Sequence, residues 1–361
     1  MFVKGLLCPT YRKKDEMEIV AINSNGIVPE DAAHLLQYDS THGRFTKDVR
    51  HGPNWIGWID EDGRMHKIQI VAHSAIEDLK WREYGAMRDT DRRMNSMIYD
   101  SRRDQKPCNS MGLDEEAHGV DIVMECTGVF NSKEEAEKHI KIAGAKKVIV
   151  SAPCADADMT VVLGVNEASL DCKKHKIISI GSCTTNCLAP IAKALHDAVG
   201  IESGFMTTIH SYTSDQQLLD NRHNDRRRAR SAALSMIPTS TGAAKTIGDV
   251  IPSLKGRLDG AAIRVPTSNV SMIDLTFVSD RDVTVDIINK AVLDAAMVYP
   301  NIIAMTNKEL VSIDFNGSSY SAIFDMTQTK VVHNRFVRIA AWYDNEWGFV
   351  NRMLGVAMML V

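Results

Sequence analysis

Between Glu18 and Ser182 the chain alternates short apolar runs with longer amphipathic stretches. Met17-Glu18-Ile19-Val20-Ala21-Ile22, Val120-Asp121-Ile122-Val123-Met124, Lys147-Val148-Ile149-Val150 and Lys176-Ile177-Ile178-Ser179 are rich in β-branched residues and too short for helices. Such runs, separated by helical pattern, predict the strands of a parallel sheet buried on both faces. Ser132-Lys133-Glu134-Glu135 has the form of a capping box, and Gly144 supplies the stop for the helix it opens. The first part of the chain therefore reads as a doubly wound α/β domain of Rossmann type. Beyond Pro190 the runs lengthen and fill with Thr, Val and Asp, as in Arg264 to Phe277 and Phe336 to Tyr343, which predicts an α+β half with a mainly antiparallel sheet. The expected division is residues 1–181, residues 182–344, and a closing apolar helix over 345–361 that packs back on the first domain.

Composition narrows the class without naming it. The 361 residues suffice for two domains. Forty-two Lys and Arg stand against 46 Asp and Glu, a net charge of −4 with no global field for nucleic acid or an anionic membrane, so neither is an expected partner. With 44% hydrophobic and 24% charged residues the chain is neither disordered nor fibrous. No apolar run approaches the roughly 18 residues of a membrane span. Met1 to Asp15 lacks a leader pattern, and seven cysteines in no paired framework suit free thiols, so a cytoplasmic location is expected. Residues 84–116, polar and rich in Arg and Met, read as an exposed insertion, either a solvated loop or a binding segment.

The sharpest chemistry lies in Ser182-Cys183-Thr184-Thr185-Asn186-Cys187, between a strand and a helical pattern. A cysteine at a helix N-terminus sits where backbone N–H groups and the helix dipole favour a thiolate nucleophile and an oxyanion. An inert buried cysteine is the competing reading. Cys183 and Cys187 as a metal pair lack a second ligand pair, so no metal is expected. His210, ending the β-rich run Thr207-Thr208-Ile209, is placed to act as a general base, or else as a structural histidine. Thr239-Ser240-Thr241-Gly242-Ala243-Ala244-Lys245 and the run Arg226-Arg227-Arg228-Ala229-Arg230 together offer hydroxyls, N–H groups and guanidinium to phosphate. For the Arg run, a solvated face or a subunit contact is the alternative. Arg264 adds a guanidinium at the end of an apolar segment.

These segments, with Tyr38 to Phe45, Glu125 to Phe130, Arg264 to Val270 and Trp342 to Gly348, resemble the signatures of the glyceraldehyde-3-phosphate dehydrogenases. The likeness runs from Glu18 to the C-terminus apart from the insertion. It implies that Cys183 attacks the aldehyde of glyceraldehyde 3-phosphate, that His210 takes the proton, that hydride passes to NAD or NADP, and that inorganic phosphate releases 1,3-bisphosphoglycerate. It assigns Thr213, Asp215 and Arg264 to the substrate phosphate, and Ser182, Thr184, Arg228, Thr241 and Gly242 to the attacking phosphate. Asn345 would orient the nicotinamide, Cys126 and Thr127 would lie near the cofactor, and the chain would form a homotetramer. Two alternatives accompany this reading: an erythrose-4-phosphate dehydrogenase, and a catalytically impaired relative acting as a binding or assembly partner.

The sequence departs from the family pattern in two places. Met1 to Asp15 holds one glycine, Gly5, and no Gly-x-Gly-x-x-Gly turn, so the expected cofactor domain lacks its first strand and pyrophosphate seat. After Asn23 the pattern has an Asp that binds ribose hydroxyls, whereas this chain has Ser24, and Asn221-Arg222 replaces a Leu-Pro pair contributed by a neighbouring subunit. Losing a carboxylate and gaining a guanidinium favours NADP.

Overall fold

The computed structural model describes residues 17–84 and 119–361. The predicted insertion beyond Tyr84 and the glycine-poor start lie outside the described residues. The described residues up to 159, with 171–179 and 354–361, make one compact unit, and residues 160–170 with 180–353 make the other. The expected break near Gly181 thus falls between residues 179 and 180, and two segments change sides. Residues 160–170 join the second unit because Val162 is buried in its core, with Leu163 and Val165 packed against it. The closing helix is divided, only its last eight residues belonging to the first unit.

The first unit begins with β1 (Ala21–Asn23) and α1 (Pro29–Gln37). Pro29 opens α1 with a preset φ, and Glu30 and Asp31 sit in its first turn, complementing the dipole. Its Ala33 and Leu36 pack on Ile56, Trp58 and Ile68. Ile56 and Trp58 belong to β3 (Trp55–Ile59) and Ile68 to β4 (Met65–Val71), which with β1 and β2 (Arg50–Gly52) form a sheet ordered β1-β4-β3-β2. A short helix, α2 (Trp81–Tyr84), follows. Then come β5 (Ile122–Glu125), α3 (Lys133–Lys141), β6 (Lys147–Val150), β7 (Met159–Thr160) and β8 (Ile177–Ser179), with sheet order β5-β6-β8-β7. β5, β6 and β8 are parallel, and Ile149, Val150, Ile177 and Ile178 are fully buried, as near-continuous apolar runs require. The capping box at Ser132 forms: its hydroxyl accepts from Glu135 N, and the Glu135 carboxylate accepts from Ser132 N. Where one sheet was expected there are two, because among the described residues no strand joins β1 to β5.

The second unit is built on α4 (Cys183–Val199) and a broad mixed sheet. Its elements are β9 (Ser203–Ser211), β10 (Ile237–Ser240), α5 (Ala243–Val250), β11 (Leu258–Val265), β12 (Ser271–Val278), α6 (Val285–Val298), β13 (Ile303–Thr306), β14 (Ala322–Asp325), β15 (Lys330–Val332), β16 (Phe336–Tyr343) and α7 (Trp347–Leu360). The strand order is β10-β11-β9-β12-β16-β14-β13, with β15 on β16. Pairing is mainly antiparallel, the exceptions being β9 with β11 and β13 with β14. β12 alternates strictly, Ser271, Ile273, Leu275 and Phe277 facing in. Those side chains pack on Leu188, Ile191 and Leu195 of α4, all without solvent exposure. No helix among the described residues is long and apolar enough to cross a membrane.

Candidate active site

The turn into α4 sets the nucleophile. Gly181 adopts φ +64°, where a Cβ would also press on Thr185 at 3.3 Å, so a glycine suits this bend. Ser182 caps the helix, its hydroxyl accepting from Thr185 N at 3.0 Å. Cys183 is the first helical residue and is half-buried. Its Sγ lies 3.4 Å from His210 Nε2.

His210 is carried by β9, where the alternation that buries Met206 and Thr208 also turns the imidazole inward. The parallel register pairs His210 with Arg264 of β11. His210 Nδ1 is 2.7 Å from Ser211 O, and Arg264 Nη1 is 3.0 Å from Nδ1, 3.1 Å from Ser211 O and 3.2 Å from Thr213 Oγ1. A carbonyl oxygen only accepts, so the close Nδ1 carries the hydrogen and the guanidinium donates to Ser211 O and Thr213 Oγ1. That tautomer leaves a lone pair on Nε2 facing the sulfur.

Burial and the Arg264 charge drive the His210 pKa down from 6.5 to about 3, so the ring is a neutral base across the working range. Burial also pushes the Cys183 thiol up; the Arg264 charge and the hydrogen bonds of Thr184 pull the other way and are outweighed. The Arg264 charge and Thr184 thus act in the sense of the expected thiolate, and burial acts against it. Cys187, one turn on, has no exposure and its thiol is pushed well above its ordinary range by burial.

Around this pair the anion-binding candidates fall into two groups. Arg264 and Thr213 stand beside His210. Arg228 donates to Asp215 Oδ2 at 2.5 Å, to Thr239 Oγ1 at 3.0 Å and to Ser240 O at 3.2 Å. Asp215 also approaches His223 Nε2 at 3.5 Å, and the Arg228 pair outweighs burial in holding its carboxyl low. Asp215, expected at the substrate phosphate, is thus paired with Arg228, itself expected at the attacking one. Thr241 Oγ1 accepts from Ala243 N at 3.2 Å, with Gly242 capping α5. Thr184 Oγ1 is 2.8 Å from Tyr343 Oη.

In the first unit, Asn23 and Ser24 lie at the C-terminal end of β1, and Cys126 and Thr127 at that of β5, the end where parallel sheets hold nucleotides. Asn23 clasps His73 through both amide atoms, and Ser24 N donates to Val71 O. Burial pushes the Cys126 thiol up to about 12. In the second unit Arg222 is exposed, while Asn345 is buried, its Oδ1 accepting from Ser211 Oγ and Ser271 Oγ at 2.8 Å each. The bound carbonyl of Asn345 leaves its amide N–H groups as donors, which suits a carboxamide ligand. Cys172 is disulfide-bonded, so the expectation of free thiols fails there, whereas Cys126, Cys154, Cys183 and Cys187 are free.

Sequence reasoning missed Tyr343. Its hydroxyl bridges Thr184 Oγ1 and Thr208 Oγ1 at 2.8 and 2.9 Å, and its ring meets His210 edge-on at 6.0 Å, locking α4 to β9 behind the catalytic pair. The β12–β16 register sets Ser271 against Tyr343, and the preceding Val270 is held at φ +69°, a strained conformation for a β-branched residue. Tyr343→Phe leaves two buried hydroxyls without this partner and is expected to cost about 1–3 kcal/mol. Denaturant unfolding checks it, and an unchanged midpoint contradicts the bridge.

A half-buried thiol, an oriented imidazole and a flanking guanidinium, on a chain with strand ends suited to a nucleotide, define a cysteine-dependent oxidoreductase. Family comparison agrees. Residues 182–345 match the glyceraldehyde 3-phosphate dehydrogenase C-terminal domain, and residues 4–88 match the NAD-binding domain of the same family. The chain is 48% identical to the glyceraldehyde-3-phosphate dehydrogenase of Cereibacter sphaeroides over 96% of its length and 91% of that protein. It is 47% identical to that of Xanthobacter flavus and 43% to that of Geobacillus stearothermophilus, each over 96% of this chain and 91% of the relative. The chain belongs to the glyceraldehyde-3-phosphate dehydrogenase family, whose members are NAD-dependent oxidoreductases.

Proposed function

We propose that the chain oxidises glyceraldehyde 3-phosphate to 1,3-bisphosphoglycerate through a thioester on Cys183. The 3.4 Å approach of Sγ to the unprotonated Nε2 of His210 carries the reading. Sulfur attacks the aldehyde carbon as its proton moves to Nε2, so the charged pair forms only as the C–S bond does. The N–H groups at the start of α4 face the oxygen of the resulting hemithioacetal. Bound NAD or NADP supplies the acceptor for the hydride leaving that carbon. The imidazolium hands the proton it took from sulfur to the hemithioacetal oxygen, and as the hydride leaves, the neutral ring takes the hydroxyl proton back, so that a thioester remains. Phosphate oxygen then adds to the acyl carbon, the C–S bond breaks, and sulfur recovers its proton from the imidazole. Arg264 and Thr213 bind the substrate phosphate, while Ser182, Thr184, Arg228, Thr241 and Gly242 serve the attacking one. Asn345 holds the nicotinamide amide, Asn23 and Ser24 serve the ribose that carries a 2′-hydroxyl or 2′-phosphate, and Cys126 and Thr127 lie near the cofactor. Formation of reduced cofactor beyond the first turnover should require inorganic phosphate; equal steady-state rates without it would point to hydrolysis of the thioester instead.

NADP is used at least as well as NAD, because Ser24 ends β1 without the carboxylate that repels a 2′-phosphate. Ser24→Asp is expected to lower kcat/KM for NADP by about tenfold, the effect of one opposed charge near the phosphate. Steady-state assays with both cofactors decide it, and a strong NAD preference in the unaltered protein contradicts it.

The working assembly is a homotetramer. Leu218, Leu219, Leu234 and Met236 flank the Arg run with 74–81% exposure, an apolar surface that a second copy of the chain would cover. Arg222, exposed in the same stretch, would then serve the cofactor of a neighbour.

A further inference from the structure

Deep in the first unit four side chains form one hydrogen-bonded line. Trp81 of α2 donates its Nε1–H to His139 Nδ1 at 3.0 Å. His139 Nε2 lies 3.1 Å from Glu125 Oε2, at the end of β5. Glu125 Oε1 accepts from Thr127 N at 2.7 Å and from Thr127 Oγ1 at 2.5 Å. Thr127 Oγ1 in turn accepts from Val129 N at 3.1 Å, closing the turn over Gly128, whose φ is +73°. Trp81, His139 and Glu125 are all buried.

The indole N–H only donates, so His139 Nδ1 is an acceptor and the ring hydrogen must sit on Nε2, aimed at the carboxylate. One proton arrangement satisfies every member, and it depends on the indole. Without that N–H, the imidazole is free to shift its hydrogen to Nδ1, which would set a lone pair against Glu125. Thr127 has both roles of its hydroxyl engaged inside the turn, and Thr127, Gly128 and Val129 are the exposed residues the turn presents.

We propose that Trp81 and His139 are positioning residues for the cofactor: through Glu125 they fix the turn 126–129 in the shape that binds the dinucleotide. This rests on the assignment of Cys126 and Thr127 to the cofactor site. Neither Trp81 nor His139 touches the reacting atoms. Their loss acts on cofactor affinity and spares the chemical step.

The test measures NAD dissociation constants by titration calorimetry, kcat at saturating NAD, and hydrogen exchange of amides 126–129 with and without NAD. Trp81→Phe keeps the packing of the ring and removes the donor, His139→Leu removes both contacts, and His139→Gln keeps an acceptor and a donor. Trp81→Phe and His139→Leu should each weaken NAD binding by about tenfold, the order of one hydrogen bond lost from the line. In both, kcat at saturation should hold, exchange at 126–129 should quicken, and His139→Gln should recover most of the affinity. If NAD slows exchange at 126–129 in the unaltered protein but Trp81→Phe binds NAD as tightly, the positioning role is overturned while the site assignment survives. If NAD leaves exchange at 126–129 unchanged in the unaltered protein, the site assignment fails and the proposal with it. Lowered thermal stability with unchanged affinity would show a structural role only, and would also overturn it.

Discussion

Cys183→Ala is expected to abolish aldehyde oxidation, a fall of at least about 10⁴-fold in kcat/KM, because no thioester can form. The substitution leaves the fold intact: the cap of α4 belongs to Ser182, and alanine is a good helix former at its first position. Cys187 cannot substitute, being without exposure and one turn deeper, with a thiol that burial keeps protonated. Steady-state rates beside a thermal melt check this. An unfolded variant would leave the melt to show it, and a folded variant retaining more than about a tenth of the activity would contradict the assignment of the nucleophile.

His210→Asn should lower kcat by about 10² to 10⁴ with modest change in substrate affinity, since it removes the imidazole beside the sulfur. It should also alter acid stability, in a direction the burial of the ring fixes. In the folded chain the pKa is down at about 3, against 6.5 when exposed. Above pH 6.5 neither state is protonated and the group contributes nothing to the pH dependence. As pH falls from 6.5 towards 3 only the unfolded state takes up the proton, so stability drops, by about 5 kcal/mol over the full window. The asparagine variant lacks this loss. Denaturant midpoints at pH 7 and pH 4 should therefore diverge less in the variant than in the parent; equal slopes would mean that His210 is not buried as a neutral ring.

Several of these features were legible in the sequence because their causes are local. The runs that became β6 and β8 could be read because strands buried on both faces have no polar side to alternate with. The capping box at Ser132 and the strand-to-helix junction before Cys183 are likewise decided by a few adjacent residues. The partnership of His210 with Arg264 comes instead from the register of parallel strands whose residues are far apart in sequence. Nothing near either residue announces it. For a related reason only part of the environment of Cys183 was legible: a helix N-terminus is visible in sequence, whereas the desolvation that opposes its effect is a property of the packed site. The pairing of Asp215 with Arg228, thirteen residues on, is likewise not shown by the motif that holds Asp215. Tyr343 lay within a motif read for Asn345, and only the sheet brings its hydroxyl between Thr184 and Thr208. Residues 160–170 look like part of the first unit in sequence order, and it is the burial of Val162 that carries them to the second.

The most direct test is to mix the protein with glyceraldehyde 3-phosphate and NAD or NADP in phosphate-free buffer, quench in acid, and locate the acyl group by peptide mass spectrometry. A phosphoglyceroyl thioester should appear on the peptide bearing Cys183, matched by reduced cofactor and discharged when phosphate is added. Acylation of a different cysteine, or reduced cofactor formed with Cys183 never acylated, would contradict the account.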